Sequence, residues 1–191
     1  MFKDLVYKTR SYRRFDQRVA IGLDTLRELI DLARHSASAG NRQPLKYILV
    51  ADAATCARIF PHTRWAGALP DWGGPVEGER PTAYIVILLD TEISEGVGHD
   101  VGIAAQSIML GATEKGLGGC MLGAIDRPRL RKVLNVPERY EISLLLALGK
   151  PIEKVVITDL APGGSTNYYR DENQVHYVPK RTLNELIWSE F

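Results

Sequence analysis

The six residues Arg10-Ser11-Tyr12-Arg13-Arg14-Phe15 place three guanidinium groups and a hydroxyl in one short stretch. A guanidinium offers a planar fork of donors that matches phosphate oxygens, and it stays charged at every accessible pH, so such a cluster is costly to bury without an anion. The stretch suits an oxyanion such as a phosphate. The local alternative is a solvated basic face. Two further stretches invite chemistry. Ser36 to Pro44 (Ser-Ala-Ser-Ala-Gly-Asn-Arg-Gln-Pro) carries Ser38, Asn41 and Gln43 just before an apolar run from Leu45 to Ala51. Gly116 to Asp126 (Gly-Leu-Gly-Gly-Cys-Met-Leu-Gly-Ala-Ile-Asp) is rich in glycine, which lets a backbone approach a flat ring closely.

Known nucleotide loops do not fit the glycines. A dinucleotide fingerprint starting at Gly116 needs glycine where Met121 stands, and a helix precedes it instead of a strand. A phosphate loop starting at Gly111 reaches Gly116 but then has Leu117 in place of lysine. Gly116 itself suits the position just past a helix C-terminus. Ser38, Asn41 and Gln43 have a local alternative as turn residues, since Ser, Gly, Asn and Pro punctuate loops. The four histidines, His35, His62, His99 and His176, have no metal-ligand spacing, and His99-Asp100 reads as a helix start, so no metal is expected. No base stands near Ser11 to make it a nucleophile.

The order Arg-Ser-x-Arg-x-Phe, a helix, Ser-x-x-Asn-x-Gln-Pro opening a strand, the segment from Gly116 to Asp126, and Lys180-Arg181 near the end resembles the FMN-dependent nitroreductase family. The resemblance spans nearly the whole chain. It implies that Arg10, Ser11 and Arg13, with Lys180 and Arg181, hold the FMN phosphate. It further implies that Ser38, Asn41 and Gln43 contact the flavin, and that Met121, Leu122, Gly123 and Ala124 run past the ring with a backbone N–H near Gly123 directed at N5. One departure is Leu45, where many members have tryptophan after Gln-Pro. The expected activity is hydride transfer from NADH or NADPH to an organic acceptor such as a nitroaromatic or quinone, by a ping-pong mechanism in a homodimer. No catalytic side chain is expected, because the cofactor carries the reactivity. The alternatives are a dedicated flavin enzyme on the same scaffold, for dehydrogenation, dehalogenation or flavin breakdown, and a non-enzymatic flavin- or phosphate-binding domain.

Bulk properties set limits. Lys and Arg number 24 against 23 Asp and Glu, so no global field would draw nucleic acid or an anionic membrane. The apolar runs Ala83 to Leu89 and Ile142 to Leu148 fall well short of the roughly 20 residues that span a bilayer. Met1 to Asp4 shows no apolar core of a signal peptide, and Cys56 and Cys120 stand alone, so a cytoplasmic location is expected.

These residues need elements to position them. Leu26, Leu29, Ile30 and Ala33 recur at helical spacing behind Asp24, an expected N-cap, in a helix ending near His35. Leu45 to Ala51, Ala83 to Leu89, a strand after the Gly-rich turn, and Ile142 to Leu148 read as strands. From Asp100 to Lys115 the apolar residues leave almost no polar face, which predicts a helix buried all round and shared with another subunit. Asp126 with Pro128 opens a short helix, and Thr182 to Ser189 a terminal one. Mixed helix and strand gives the class α+β. The resemblance implies a mostly antiparallel central sheet flanked by helices, in one FMN-binding domain over residues 1–191. Residues 62–81 are expected to form a substrate-side loop and 162–191 a C-terminal extension with its helix. Within that loop, Trp65 and Trp72 are the candidate substrate residues, the alternative being that they pack the loop onto the body.

Overall fold

A computed structural model describes all residues from Met1 to Phe191. The helices are α1 (Phe2–Lys8), α2 (Leu23–Arg34), α3 (Ala53–Ile59), α4 (Asp100–Glu114), α5 (Arg127–Leu134) and α6 (Leu183–Leu186). The strands are β1 (Leu45–Val50), β2 (Ala83–Asp90), β3 (Gly118–Leu122), β4 (Tyr140–Gly149), β5 (Val155–Asp159), β6 (Tyr169–Arg170) and β7 (His176–Lys180). The main sheet has the order β1-β2-β4-β3 and is antiparallel throughout. It is flanked by helices, so the class is α+β as expected.

Strand β2 is buried at every position, which explains its unbroken apolar run. Alternate side chains part to two cores. Tyr84, Val86 and Leu88 join Leu145, Ala147, Leu130 and Ile59 on one face. Ile85 and Ile87 join Leu146, Leu148 and the apolar faces of α2 and α4 on the other. Truncating a fully buried side chain there, such as Ile108, costs about 2–5 kcal/mol by lost burial and cavity formation.

Helix α4 is covered by its own chain on one side only. Ala104, Ala105, Ile108, Met109 and Ala112 are buried, but Gly102, Ile103 and Gln106 are exposed and Leu110 is half-buried. One chain therefore covers one side of this helix and leaves an apolar stripe on the other. Gly111 has no side chain because Leu29 and Leu32 of α2 press against that point. The helix ends as the sequence suggests: after the C-cap Lys115, Gly116 takes φ 70°, its N–H reaches the Thr113 carbonyl, and Leu117 N–H reaches Ala112.

Three differences from expectation have local causes. Asp24 is not the N-cap of α2: Gly22 holds that place, and Asp24 lies in the first turn, where it complements the helix dipole and pairs with Arg27 at 2.9 Å. The terminal helix is only Leu183–Leu186, closed at its start by a reciprocal pair of Thr182 and Glu185 bonds and left with Leu183, Leu186 and Trp188 exposed. Strands β5, β7 and β6, in that order, form a second sheet that periodicity did not announce, with β5 parallel to β7 and β6 antiparallel. No helix is long and apolar enough to cross a membrane.

The arginine segment is seated by a ring against a glycine. Phe15 is fully buried, bridges to Pro151, and lies where a Cβ on Gly149 would come within 2.7 Å of its ring. Gly149→Ala is expected to cost about 1–3 kcal/mol by forcing Phe15 off its seat. The check is the urea midpoint, which should fall with an unchanged slope.

Candidate cofactor and substrate site

Residues 9–15 run along the free edge of the main sheet. Tyr12 N–H donates to the Gly119 carbonyl at 2.9 Å, and Ser11 bridges to Gly119 in parallel, so the segment acts as one more pairing for β3. At its start Thr9 donates to the Leu5 carbonyl at 2.7 Å and meets the Thr113 hydroxyl at 2.9 Å, which ties the end of α1 to α4. The three guanidinium groups then diverge. Arg14 makes a two-pronged pair with Glu79, at 2.7 and 2.6 Å, away from the others. Arg10 and Arg13 turn with Ser11 into a cavity of about 340 Å³, whose far wall carries His176, Val178 and Lys180 of β7. No carboxylate lines it.

Within this basic chamber Arg10 donates from Nη2 to the Val6 carbonyl at 2.8 Å, while its Nε is buried without a partner. Arg13 is held more tightly. Its Nη1 donates to the Ser11 carbonyl at 3.1 Å and lies 3.2 Å from His176 Nε2, and its guanidinium stacks 4.6 Å from the Tyr168 ring centre. His176 is fully buried, and burial, then Arg13 and Arg170, push its pKa down to about 4. It is therefore neutral at pH 7. Since Arg13 can only donate, Nε2 is the acceptor and the proton sits on Nδ1, which has no partner in the chain.

Behind Arg13 lies Glu153, whose side chain is fully buried. It accepts the backbone N–H of Arg13 on one oxygen and Arg170 Nη2, at 3.0 Å, on the other. Arg170 in turn stacks 4.1 Å from the Trp72 ring. One buried carboxylate thus links the arginine segment, the second sheet and the 62–81 loop.

A second cavity of about 590 Å³ adjoins the first, with Arg13, Met121 and Tyr168 lining both. Its floor is Cys120 to Ala124, and Trp65, Leu69 and Trp72 wall it. The loop is fastened to that floor: Arg64 N–H donates to the Ala124 carbonyl at 3.0 Å, Asp126 N–H to His62 at 2.9 Å, and Thr63 bridges to Ile125. Trp65 is buried and donates from Nε1 to the Thr63 hydroxyl at 2.9 Å. Gly123 is exposed, and a Cβ there would meet nothing within 4 Å. Arg127 braces it, donating to the carbonyls of Gly123, Ile142 and Ser143 at 3.3, 2.9 and 3.1 Å. Burial raises the pKa of the Cys120 thiol, which is neutral at pH 7.

Among the sequence candidates, then, the fold gathers Arg10, Ser11, Arg13 and Lys180 at one chamber. It gathers Met121, Leu122, Gly123, Ala124, Trp65 and Trp72 at the other. It does not bring Ser38, Asn41 and Gln43 to either. Ser38 donates to Asp100 at 2.5 Å and accepts Gln43 N–H at 2.9 Å, and Gln43 Nε2 donates to Asn41 Oδ1 at 3.1 Å. Ser38 and Gln43 line a separate cavity beside Leu45, Tyr47 and Asp100. Arg181 also stays outside, 3.5 Å from Glu185. Glu153, Tyr168, Arg170 and His176 were missed by sequence reasoning. The only usable signal was the period of two in His176, Val178 and Lys180, which puts all three on one face of a strand.

The family model for the "Nitroreductase family" matches residues 6–87 and 90–150. The chain belongs to the nitroreductase family. The matched span ends before Arg170, His176 and Lys180. A curated relative from Archaeoglobus fulgidus, named "Putative NADH dehydrogenase/NAD(P)H nitroreductase", is 26% identical over 155 residues, covering 77% of this chain and 83% of the relative. A solved nitroreductase family protein from Clostridium novyi NT is 26% identical with a TM-score of 0.65, over 79% of this chain and 86% of that one. An FMN-dependent nitroreductase from Clostridium difficile R20291 is 24% identical with a TM-score of 0.63, over 78% and 87%.

The buried neutral histidine makes a pH prediction. The folded state resists protonating His176 until about pH 4, whereas an unfolded chain takes up that proton near pH 6.5. Stability is therefore lost as pH falls from about 6.5 to about 4, by about 1–3 kcal/mol for this group. Denaturant unfolding of wild type and His176→Gln across that window checks it: the difference between the two curves should change with pH only there.

Proposed function

We propose that this protein is an FMN-dependent oxidoreductase of the nitroreductase type, working as a homodimer. It passes two electrons from NADH or NADPH to an organic acceptor such as a quinone or nitroaromatic. For a quinone the balance is NAD(P)H plus a proton plus quinone, giving NAD(P)⁺ and hydroquinone. The observation that carries the reading is the partnerless buried Nε of Arg10 in a carboxylate-free chamber with Ser11, Arg13 and Lys180, opening onto a second chamber floored by Gly123.

A phosphate monoester joined to a flat ring fits this pair of chambers. The cations and the Ser11 hydroxyl are the groups to hold a phosphate, and the exposed backbone at Gly123 allows a ring to come close. When bound, FMN supplies a ring that accepts a hydride and gives it up to a second molecule. The chain's own part is to orient and to stabilise charge. Arg13 is held at the junction of the chambers by His176, Tyr168 and Glu153, where it would oppose negative charge developing on a reduced ring. Trp65 and Trp72 supply flat apolar walls for donor and acceptor in turn, which suits a ping-pong order in which one leaves before the other enters.

The dimer accounts for two features a single chain leaves over. The stripe of Ile103 and Leu110 on α4 is an apolar surface for a second copy. The Ser38, Asn41 and Gln43 group, turned away from its own chain's chambers, is then available to the chambers of that copy. The relatives' names agree with the chemistry, since one is called FMN-dependent and another an NAD(P)H nitroreductase.

Arg10 is the residue on which to test the phosphate assignment, because Arg13 also supports the pocket. Arg10→Ala should remove charge-assisted bonds worth about 1.5–3 kcal/mol and weaken FMN binding by about one to two powers of ten. Riboflavin lacks the phosphate, so its weaker affinity should hardly change. Titrations of the apoprotein with both flavins decide it. Equal losses for the two flavins, or a protein that ignores FMN, would reject the reading.

A further inference from the structure

Resting on that reading of the chambers, we infer that the tryptophan-lined chamber selects planar aromatic acceptors that carry a carboxylate, and that Arg64 is the residue that reads this charge. The wall of this cavity contains two cations, Arg13 and Arg64, and no acidic side chain. The nearest carboxylate along the 63–73 stretch, Asp71, does not line it.

Arg64 differs from Arg13 and Arg127, the other arginines at this floor, because their guanidinium groups donate to acceptors of the chain. Arg14 pairs with Glu79, Arg80 with Glu77, Arg139 with Asp90 and Arg170 with Glu153. Arg64 is exposed at the chamber rim and takes no carboxylate from the chain. Its backbone is nonetheless fixed: its N–H is bonded to Ala124, and the neighbouring Thr63 is bridged to Ile125. The Arg64 backbone is therefore anchored at Ala124, next to the exposed Gly123, while its guanidinium has no hydrogen-bond partner in the chain.

Three physical facts select the ligand class. The indole rings of Trp65 and Trp72, with Leu69 and Pro70, favour a flat apolar body. A planar guanidinium fork favours a carboxylate, which it can bind through two bonds. Because the Arg64 backbone is fixed beside the floor, its guanidinium stays within one side-chain length of a ring bound there. The distant phosphates of a nicotinamide nucleotide are set apart from their ring by a ribose. Nothing in the wall offers the opposite preference, since a cationic aromatic would find two arginines and no counter-charge.

The test uses 4-nitrobenzoate and its neutral isostere 4-nitrobenzamide on the purified, cofactor-loaded protein, with Arg64→Gln and Arg64→Lys. Equilibrium dialysis should show wild type binding the benzoate about five- to tenfold more tightly than the amide at low salt, with the preference shrinking as salt rises. Arg64→Gln should erase the preference by weakening benzoate alone, and Arg64→Lys should restore part of it. In steady-state assays the same ratio should appear in kcat/KM for the acceptor, while kcat/KM for NADH and NADPH stays put. Equal binding of the two probes by wild type would overturn the inference. So would equal losses for both in Arg64→Gln, or a lowered kcat/KM for the nicotinamide donor. If NAD(P)H oxidation is absent with every acceptor while the binding preference follows Arg64, the oxidoreductase reading falls and the charge assignment stands.

Discussion

The buried carboxylate of Glu153 is the contact on which the site's geometry depends. It lies just after the main sheet ends at Gly149, and it is shielded from water on all sides. An unpaired carboxylate there would be prohibitively costly, so two donors must be present whenever the chain is folded. They come from opposite ends of the chain: the Arg13 backbone and the Arg170 guanidinium. Removing one member of such a buried pair typically costs about 3–5 kcal/mol, because the other is left uncompensated. That is large against the stability of a small protein, so the N-terminal segment and the second sheet are effectively committed to each other. The contact also uses the Arg13 backbone and leaves its guanidinium free to turn toward the chambers.

The parts of the fold legible in the sequence were those where a single period dominates. Strand β2 reads as a strand because seven consecutive apolar residues bury both faces between two cores, and α2 because Leu26, Leu29 and Ala33 recur on one side. The second sheet was not legible for the opposite reason. In Val155–Asp159 and His176–Lys180 most side chains are only partly covered, so polar and apolar residues mix and no period stands out. For helix α4, composition reports how apolar the helix is and is silent on what covers it. Ala104, Ala105, Ile108, Met109 and Ala112 are buried within one chain, while Gly102 and Ile103 are exposed and Leu110 is half-buried.

The site divides along the same line. Arg10, Ser11 and Arg13 could be read because their chemistry is concentrated within four residues, and Gly116 because a positive φ needs glycine. What the sequence could not separate was the fate of like residues side by side. Arg13 and Arg14 are adjacent, yet one points into a chamber and the other is neutralised by Glu79, as alternation along an extended segment requires. Lys180 and Arg181 divide in the same way at the end of β7. Glu153, Arg170 and Tyr168 were invisible because each matters only through partners far away along the chain.

His176 shows why a neutral residue belongs in this cradle. A lysine or arginine there would add a further cation beside Arg13 and Arg170 in a buried setting, where like charges repel strongly. A carboxylate would neutralise Arg13 and remove the attraction for an anion. A neutral imidazole does neither: Nε2 accepts a bond from Arg13 and fixes its direction, and desolvation together with the two arginines keeps the ring unprotonated. The cations therefore keep their charge for a ligand, and the only buried carboxylate near them is engaged behind Arg13 by a backbone N–H and by Arg170. Arg13 is thus steered by a neutral acceptor in front and a charged one behind, which holds it in place without spending its charge inside the protein.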